Sequence, residues 1–487
     1  MPPNVLLVVM DAVRARNTSL HGYECETTPF LETFAEGATT YTQARSPGIW
    51  SLPSHASIFT GLHVVEHGIT EVSDRLSSGH SVWEALADEE GYATGVFSEN
   101  EFLTGGLGVG LRDTFQTVVG SQNAPYPEAG DPNQPYHKFV SRSTTEQVRN
   151  LIRESLEAEE SSRTFVNGLT TKLQWDHPGL LPEGWTAADT PAEVFTDRFL
   201  SWNTEQDGPW AACINYLDAH APHHPPEEFD HWGGPVLRSL QAEMDDVVWE
   251  FNGGNRPWWQ RKALESLYDG GIRYMDAEIE RLLSTLDERG ELEDTLVVVT
   301  ADHGEGFGEP SRIRPDTRVP SHKSGIHEVL LHVPLIVKYP GQTDSRVVEE
   351  AASLTEFPVA VRAAIEGERD DEAFVPEGLV YASSHGLEKP MEERALRHVD
   401  DVWRFNGDAL AIFETMETGV RKYASWRDTY GLDVTALNAR ESYVSGEGGH
   451  ERANEAFADL TDSGVKERTD GDIDTPARNR LEDLGYI

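Results

Sequence analysis

The sequence predicts an α/β protein: a large mixed, mostly parallel sheet flanked by helices, followed by a smaller C-terminal α+β subdomain on an antiparallel sheet. Three observations carry this. Short continuous apolar runs, in "NVLLVVM", "PWAACINYLDAH" and "DTLVVVTADHGE", have the length of strands buried on both faces. Long polar and helical stretches, about 143–204 and 257–289, separate these runs and are suited to covering the faces of such a sheet. Beyond residue 369 the texture changes to short, alternating, turn-separated segments.

Taken in order, "NVLLVVM" at 4–10 is the first strand, and polar residues begin at Asp11, which puts a carboxylate at the carboxyl end of a central strand. "TTPFLETFAEGA" predicts a helix with Thr28 near its N-cap, and "SVWEALADEEGYATGVFSEN" a helix, a glycine stop and another strand. "PLIVKYPG" at 334–341 is one more strand, leading to a helix through "LTEFPVAVRAAIEG". "GLVYASSHG", "ALRHVDDVWRFNG", "ALAIFET" and "GVRKYASW" predict the small antiparallel sheet. The expected division is an α/β domain over 1–368 and a subdomain with a terminal helix over 369–487, meeting near "GERDDEAFVPEG".

A chain of 487 residues exceeds what one compact core accommodates, which agrees with two parts. Charge is its extreme property: 40 basic against 84 acidic residues leave a net charge of −44. Such a potential repels polyanions, so neither nucleic acid nor an anionic membrane surface is expected as a partner. The acids are dispersed along the chain and Arg outnumbers Lys, a pattern carried by proteins of high-salt cytoplasms. The competing reading, a disordered acidic chain, conflicts with the apolar periodicity. No run approaches the roughly 18 apolar residues of a membrane span. "MPPNVLLVVMDAV" lacks a basic export region, and the two cysteines, Cys25 and Cys213, cannot form a disulfide framework, so a cytoplasmic location is expected.

The candidate chemistry sits where strands end. Asp11, His220, Asp302 and His303 all follow apolar runs, and ligands of open parallel α/β sheets bind outside the carboxyl ends of strands. Asp11, Asp302 and His303 suit one divalent cation; a single Asp at a strand end reads as a cap or turn residue, and three strands ending alike favour the metal. Ser51 stands at a helix start marked by Pro53, where it is either an N-cap or a nucleophile in the positive end of the helix dipole. Lys323 stands out because lysine is scarce here; its ammonium suits the oxygens of a tetraoxo anion. His220 is a candidate proton donor to a leaving oxygen, while His223 and His224 read as loop residues.

In combination these segments resemble the sulfatases of the alkaline phosphatase superfamily. The resemblance rests on the opening "NVLLVVMDAVR", on "SLPSHASIFTG" where sulfatases show C/S-x-P-S-R-x-x-x-x-T-G, and on "HG" at 67–68. It continues through "YLDAHAPHHPP", "YDGGIRYMDAEIERLL", "VVVTADHGEGFGE", "HKSGIHEVLLHVPLIV" and the closing "RLEDLGYI". It implies an alkaline phosphatase-like fold and a metal-dependent sulfuric ester hydrolase. It places Ser51 at the nucleophile position, which the family often oxidises to formylglycine, Asp11, Asp302 and His303 at metal-ligand positions, Lys323 at the anion clamp and His220 at the leaving group. Calcium is the first choice for so hard a site; His303 gives weight to magnesium or manganese.

The departures are specific. Ala12 replaces a second Asp, and His303 replaces Asn, as in the phosphonate monoester and phosphodiester hydrolase branch. His55 stands where the modification motif has Arg, a position in contact with substrate. "FSENEF" replaces a G-K-W-H segment, with Asn100 as its polar substitute. The expected function is hydrolysis of small sulfate esters, of a sugar or an aryl alcohol, through a covalent intermediate at residue 51. Its rivals are a phosphodiesterase or phosphonate monoester hydrolase on the same scaffold, acting on phosphorylated esters, and a catalytically silent binding homologue. The aromatic segments "WWQ", "PYPEAG" and "HWGG" read either as pocket walls or as packing, and oligomeric state is not legible.

Overall fold

A computed structural model describes residues 2–120 apart from 106, residues 191–468 apart from 245 and 315, and isolated positions at 152, 153, 162 and 166. "PYPEAG", most of the 143–204 insertion and the closing "RLEDLGYI" lie outside the described residues. Eight strands form the main sheet: β1 (Asn4–Met10), β2 (Thr39–Tyr41), β3 (Ala93–Ser98), β4 (Thr117–Val119), β5 (Trp210–Tyr216), β6 (Thr295–Thr300), β7 (Leu335–Lys338) and β8 (Arg346–Val348). Their order across the sheet is β8-β2-β7-β6-β1-β5-β3-β4.

The three long apolar runs lie side by side at the centre, β1 flanked by β6 and β5, all parallel. Met10 is level with Tyr216 and Val9 with Thr300, so the chain leaves all three strands at one edge. β7 is antiparallel to both β6 and β2, which makes the sheet mixed. Strands buried on both faces need apolar side chains at every position, and Val5 to Met10 are all buried. Helix α1 (Ser51–Thr60) follows β2, α2 (Ala192–Asn203) precedes β5, and the long α3 (Trp258–Glu288) precedes β6.

In α3, Leu264, Leu267, Ile272, Met275, Ile279, Leu282 and Leu286 recur at helical spacing and are buried in the main core. Each such side chain contributes about 1.5–3 kcal/mol of burial. Gly271 lies on that face because a Cβ there would come within 2.2 Å of the Asp218 carbonyl oxygen. Its hydrogen lets α3 press against the loop that carries His220. The helix at Pro29–Phe34 differs from expectation in its cap: the Thr28 side chain does not cap it. Asp276 of α3 instead accepts from the Phe30 and Leu31 amides, at 2.9 and 3.0 Å. A carboxylate from a distant element thus satisfies the orphan donors of the first turn.

The C-terminal sheet is an antiparallel meander of β9 (Val380–Ser384), β10 (Ala409–Thr415), β11 (Val420–Trp426), β12 (Tyr430–Ala436) and β13 (Ser442–Gly446). "ALRHVDDVWRFNG" is not one of its strands. It follows the helix Lys389–Ala395 as turns, and its Val399 and Phe405 pack with Val248 and Trp249 in a separate cluster. The inner face of the meander packs through Ala411, Phe413, Ala424 and Trp426 onto Ile326, Val329 and Leu331, in the segment after Lys323. Beyond the helix Gly449–Ala458 the chain returns, and Lys466–Arg468 pairs antiparallel with Asp74–Leu76. Among the described residues no helix is long and apolar enough to cross a membrane.

Candidate active site

At the shared edge of β1, β5 and β6, the side chains of Asp11, Asp302 and His303 converge; one ligand atom from each lies within 4.8 Å of the others, and all three residues are fully buried. The backbone turns immediately after Asp11, where Ala12 has φ 61°. That left-handed conformation aims the Ala12 amide at Asp302 Oδ1, to which it donates at 3.2 Å. The His303 amide donates to the same oxygen at 3.0 Å. Tyr268 of α3 donates its hydroxyl to the Ala12 carbonyl and accepts from the Arg14 amide, both at 2.9 Å. The position of the family's second acid is thus a backbone clamp.

His303 Nδ1 meets the Gly304 carbonyl at 2.9 Å, which makes it the protonated nitrogen and leaves the Nε2 lone pair facing the carboxylates. Nε2 lies 3.5 Å from Asp302 Oδ2 and 3.9 Å from Asp11 Oδ1. Those two carboxylate oxygens are buried and accept no hydrogen bond among the described residues. Burial and the adjacent Asp302 push Asp11 up to about 7. Burial also raises Asp302, but His303, His55 and its hydrogen bonds outweigh it and hold it below the usual carboxylate range. Two orphaned carboxylate oxygens and an imidazole lone pair, all buried, match the donor set of a divalent cation.

Ser51 opens α1 with its hydroxyl in this cluster, 3.4 Å from Asp11 Oδ2 and 3.3 Å from His303 Nε2. It is the first residue of the helix rather than its cap; that position belongs to Trp50. One turn on, His55 Nδ1 donates to the Ser51 carbonyl at 2.9 Å and stands 3.6 Å from Asp302 Oδ2. Burial depresses His55, which favours its neutral form. Ser54 turns away, with its hydroxyl 3.2 Å from that of Ser46.

His220 and Lys323 complete the arrangement from two other loops. The His220 ring lies 5.1 Å from that of His322, which lies 4.4 Å from that of His303. Lys323 Nζ is 3.4 Å from His322 Nε2. Burial lowers Lys323 to about 7, against the pull of Glu305. Burial, His322 and Lys323 together push His220 down to about 3. All seven residues read from the sequence as site candidates therefore lie in or beside one cleft.

Several neighbours escaped the sequence reading. Asn215 of β5 donates to Asp11 Oδ2 at 3.3 Å, beside Asn100 at 3.1 Å. Its signal was present: an amide inside the otherwise apolar "AACINY" run. His322 Nδ1 meets Glu305 Oε2 at 3.0 Å, and Arg261 Nη2 stands 3.3 Å from Glu305 Oε1. This buried relay from α3 orients His322 and, through it, Lys323. Nothing in their spacing joins Arg261, Glu305 and His322 before the fold does.

The sulfatase family model matches residues 3–363, the stretch that holds every residue of this cluster. The chain belongs to the sulfatase family. Similar proteins include the multifunctional alkaline phosphatase superfamily protein PehA of Trinickia caryophylli, 24% identical over 70% of this chain and 68% of its own length. Arylsulfatase K of Bos taurus is 23% identical over 73% of this chain and 61% of that protein. The chain thus spans under two thirds of this sulfatase. Among solved structures, the phosphonate monoester hydrolase of Agrobacterium radiobacter superposes with a TM-score of 0.56, at 18% identity and 88% of both chains. That likeness is one of fold, an alkaline phosphatase-like sheet with helices on both sides.

Proposed function

We propose that the chain hydrolyses small sulfate esters through a covalent intermediate on residue 51. The observation that carries this reading is the Ser51 hydroxyl, held at a helix N-terminus between Asp11 and His303. Asp11, Asp302 and His303 would hold a divalent cation, which supplies charge neutralisation to the ester oxygens and a lower pKa to the residue 51 hydroxyl. Calcium is favoured by the hard carboxylates, with magnesium and manganese next. The free amides of the first turn of α1 and the Lys323 ammonium face the negative charge of the substrate.

The hydroxyl of residue 51 passes its proton to Asp11 Oδ2 as its oxygen forms the new bond to sulfur, and the bond from sulfur to the alcohol oxygen breaks. His220 gives that oxygen its proton. Burial first, then His322 and Lys323, hold His220 low in the unliganded protein, and a bound anionic ester would offset this with its negative charge, which favours the protonated donor. Water then hydrolyses the ester if residue 51 remains serine; as formylglycine hydrate it expels sulfate by elimination. A specific observation favours a second reading, a phosphodiesterase or phosphonate monoester hydrolase: His303 offers a nitrogen donor where the sulfatase pattern has Asn, and His55 stands in place of Arg.

The test compares 4-nitrophenyl sulfate with bis(4-nitrophenyl) phosphate in molar salt, after chelation and readdition of calcium, magnesium or manganese. Peptide mass spectrometry of residue 51 runs alongside. Sulfate hydrolysis that needs added metal and drops by about 10³-fold or more in Ser51→Ala is the expected outcome. Phosphodiester turnover alone moves the assignment to the second reading. No turnover of either ester, with Ser51→Ala binding them as the parent does, leaves only a binding protein.

A further inference from the structure

A second pocket, of 420 Å³, opens beside the start of α3 and shares no wall residue with the cleft described above. Its walls bring three cations, Arg16, Lys262 and Arg318, together with one carboxylate, Glu309, and two indoles, Trp258 and Trp259. On a protein of net charge −44 this is an inverted neighbourhood. Glu309 is already engaged on both oxygens, by Arg14 Nη1 at 2.6 Å and by the Phe307 amide at 2.7 Å. Lys262 pairs with Glu265, and Arg318 donates to the Gly308 carbonyl at 2.7 Å while its guanidinium lies 5.7 Å from the centre of Trp258.

Arg16 is different. The fully buried Arg14, Arg45 and Arg261 each meet a carboxylate, and the buried Arg314 donates to the Ser324 hydroxyl. Arg16, half-buried on the pocket wall, forms no hydrogen bond or ion pair with any described residue. Glu309 and Glu265 offset its charge only from beyond contact distance, so its guanidinium donors are left open to a ligand. Trp259 offers the matching surface: it is 63% exposed, an unusual fate for an indole. Gly308 makes the floor possible, since with φ 89° and a Cβ it would strike Trp258 at 2.8 Å.

We propose that this pocket binds a single-ring compound with one exocyclic anionic group, the ring lying on Trp259 and the anion on Arg16. The volume fits one ring and its substituents. Polyanions are excluded by the field of the whole molecule, which leaves small monoanions. The shared chemistry, a flat apolar ring face and a carboxylate or sulfate, belongs to acidic sugars and to aryl acids alike. Lys262 is held by Glu265, so the wall offers charge and ring surface for binding. The proposal is independent of the assignment of residue 51.

Isothermal titration of the full chain in constant molar potassium chloride tests it, with D-glucuronate and benzoate as ring anions, D-glucose as a ring without charge and sodium sulfate as an anion without a ring. At least one ring anion is expected to bind more tightly than both controls, and which one does so names the source. Arg16→Gln and Trp259→Ala are each expected to weaken that binding about tenfold, while Lys323→Ala leaves it unchanged. Trp259→Ala removes an exposed side chain, so it reports even if Arg16→Gln is poorly folded. The proposal fails if neither ring anion binds, if Trp259→Ala binds as the parent does, or if Lys323→Ala abolishes binding and so places the probe in the metal-ligand cleft.

Discussion

Lys323 is the residue whose charge is most open to adjustment. Its ammonium meets His322, which Glu305 and Arg261 hold in turn, and the surrounding protein lowers it to about 7. Below that pH it is charged and attracts a substrate anion; above it the charge is lost. The expected profile is a kcat/KM that declines as pH rises through about 7, with KM rising more than kcat falls. Lys323→Arg, which stays protonated, moves the decline to higher pH. A profile unmoved by that substitution assigns the alkaline limb elsewhere. Asn100 makes a separate prediction: it donates to Asp11 without touching any other proposed cation ligand in the cluster. Asn100→Ala is expected to weaken cation binding about 10-fold, measured by calorimetric titration of the chelated protein, because a ligand carboxylate loses the donor that orients it.

Helix α1 depends on a histidine that is not part of the proposed chemistry. His67 Nδ1 accepts the Ile69 amide at 3.0 Å, so the proton is on Nε2, which meets Ser57 Oγ of α1 at 2.9 Å. Burial drives His67 down to about 3 from the ordinary 6.5. Between those values the unfolded chain holds a proton that the folded chain refuses, so stability is lost as pH falls below 6.5. At pH 5 this one group costs about 2 kcal/mol. Denaturant titrations at pH 7 and pH 5 measure it, and His67→Gln, which cannot take the proton, is expected to show a smaller difference between the two. Other elements show where pattern reading ends. β7 is legible as a strand from "PLIVKYPG", yet its antiparallel direction is set by the loop from Ala301 to Pro334 that returns on the same edge. β12 and β13 escaped notice because "YGLDVTA" mixes exposed and buried positions and "SYVSG" buries none, whereas "ALRHVDDVWRFNG" imitates a strand and is held as turns by Trp249.

The whole molecule carries a net charge of −44, and we expect its folded state to need salt. Repulsion among charges is screened within about 10 Å at 0.1 M salt and about 3 Å at 1 M. The midpoint of thermal unfolding should therefore climb steeply between 0.1 and 2 M potassium chloride, and a midpoint indifferent to salt refutes this. Much of the architecture was legible before any coordinates. Apolar runs of strand length mark the central strands because strands buried on both faces are built mainly from apolar side chains, and Asp11, Asp302 and His303 stand out because polarity returns abruptly at their ends. Ser51 was legible as a helix start, and its rank above Ser54 came from the motif. Composition and local pattern are properties of neighbours in the chain, so one strand, its end and its charge can be read from a few residues. The clamp at Ala12, the amide of Asn215 on Asp11, the relay from Arg261 to Lys323 and Arg16 set beside two indoles join residues far apart in the chain. Such contacts exist once register and packing bring separate loops to one edge, because burial and hydrogen bonding act through distance in space and are blind to distance along the chain.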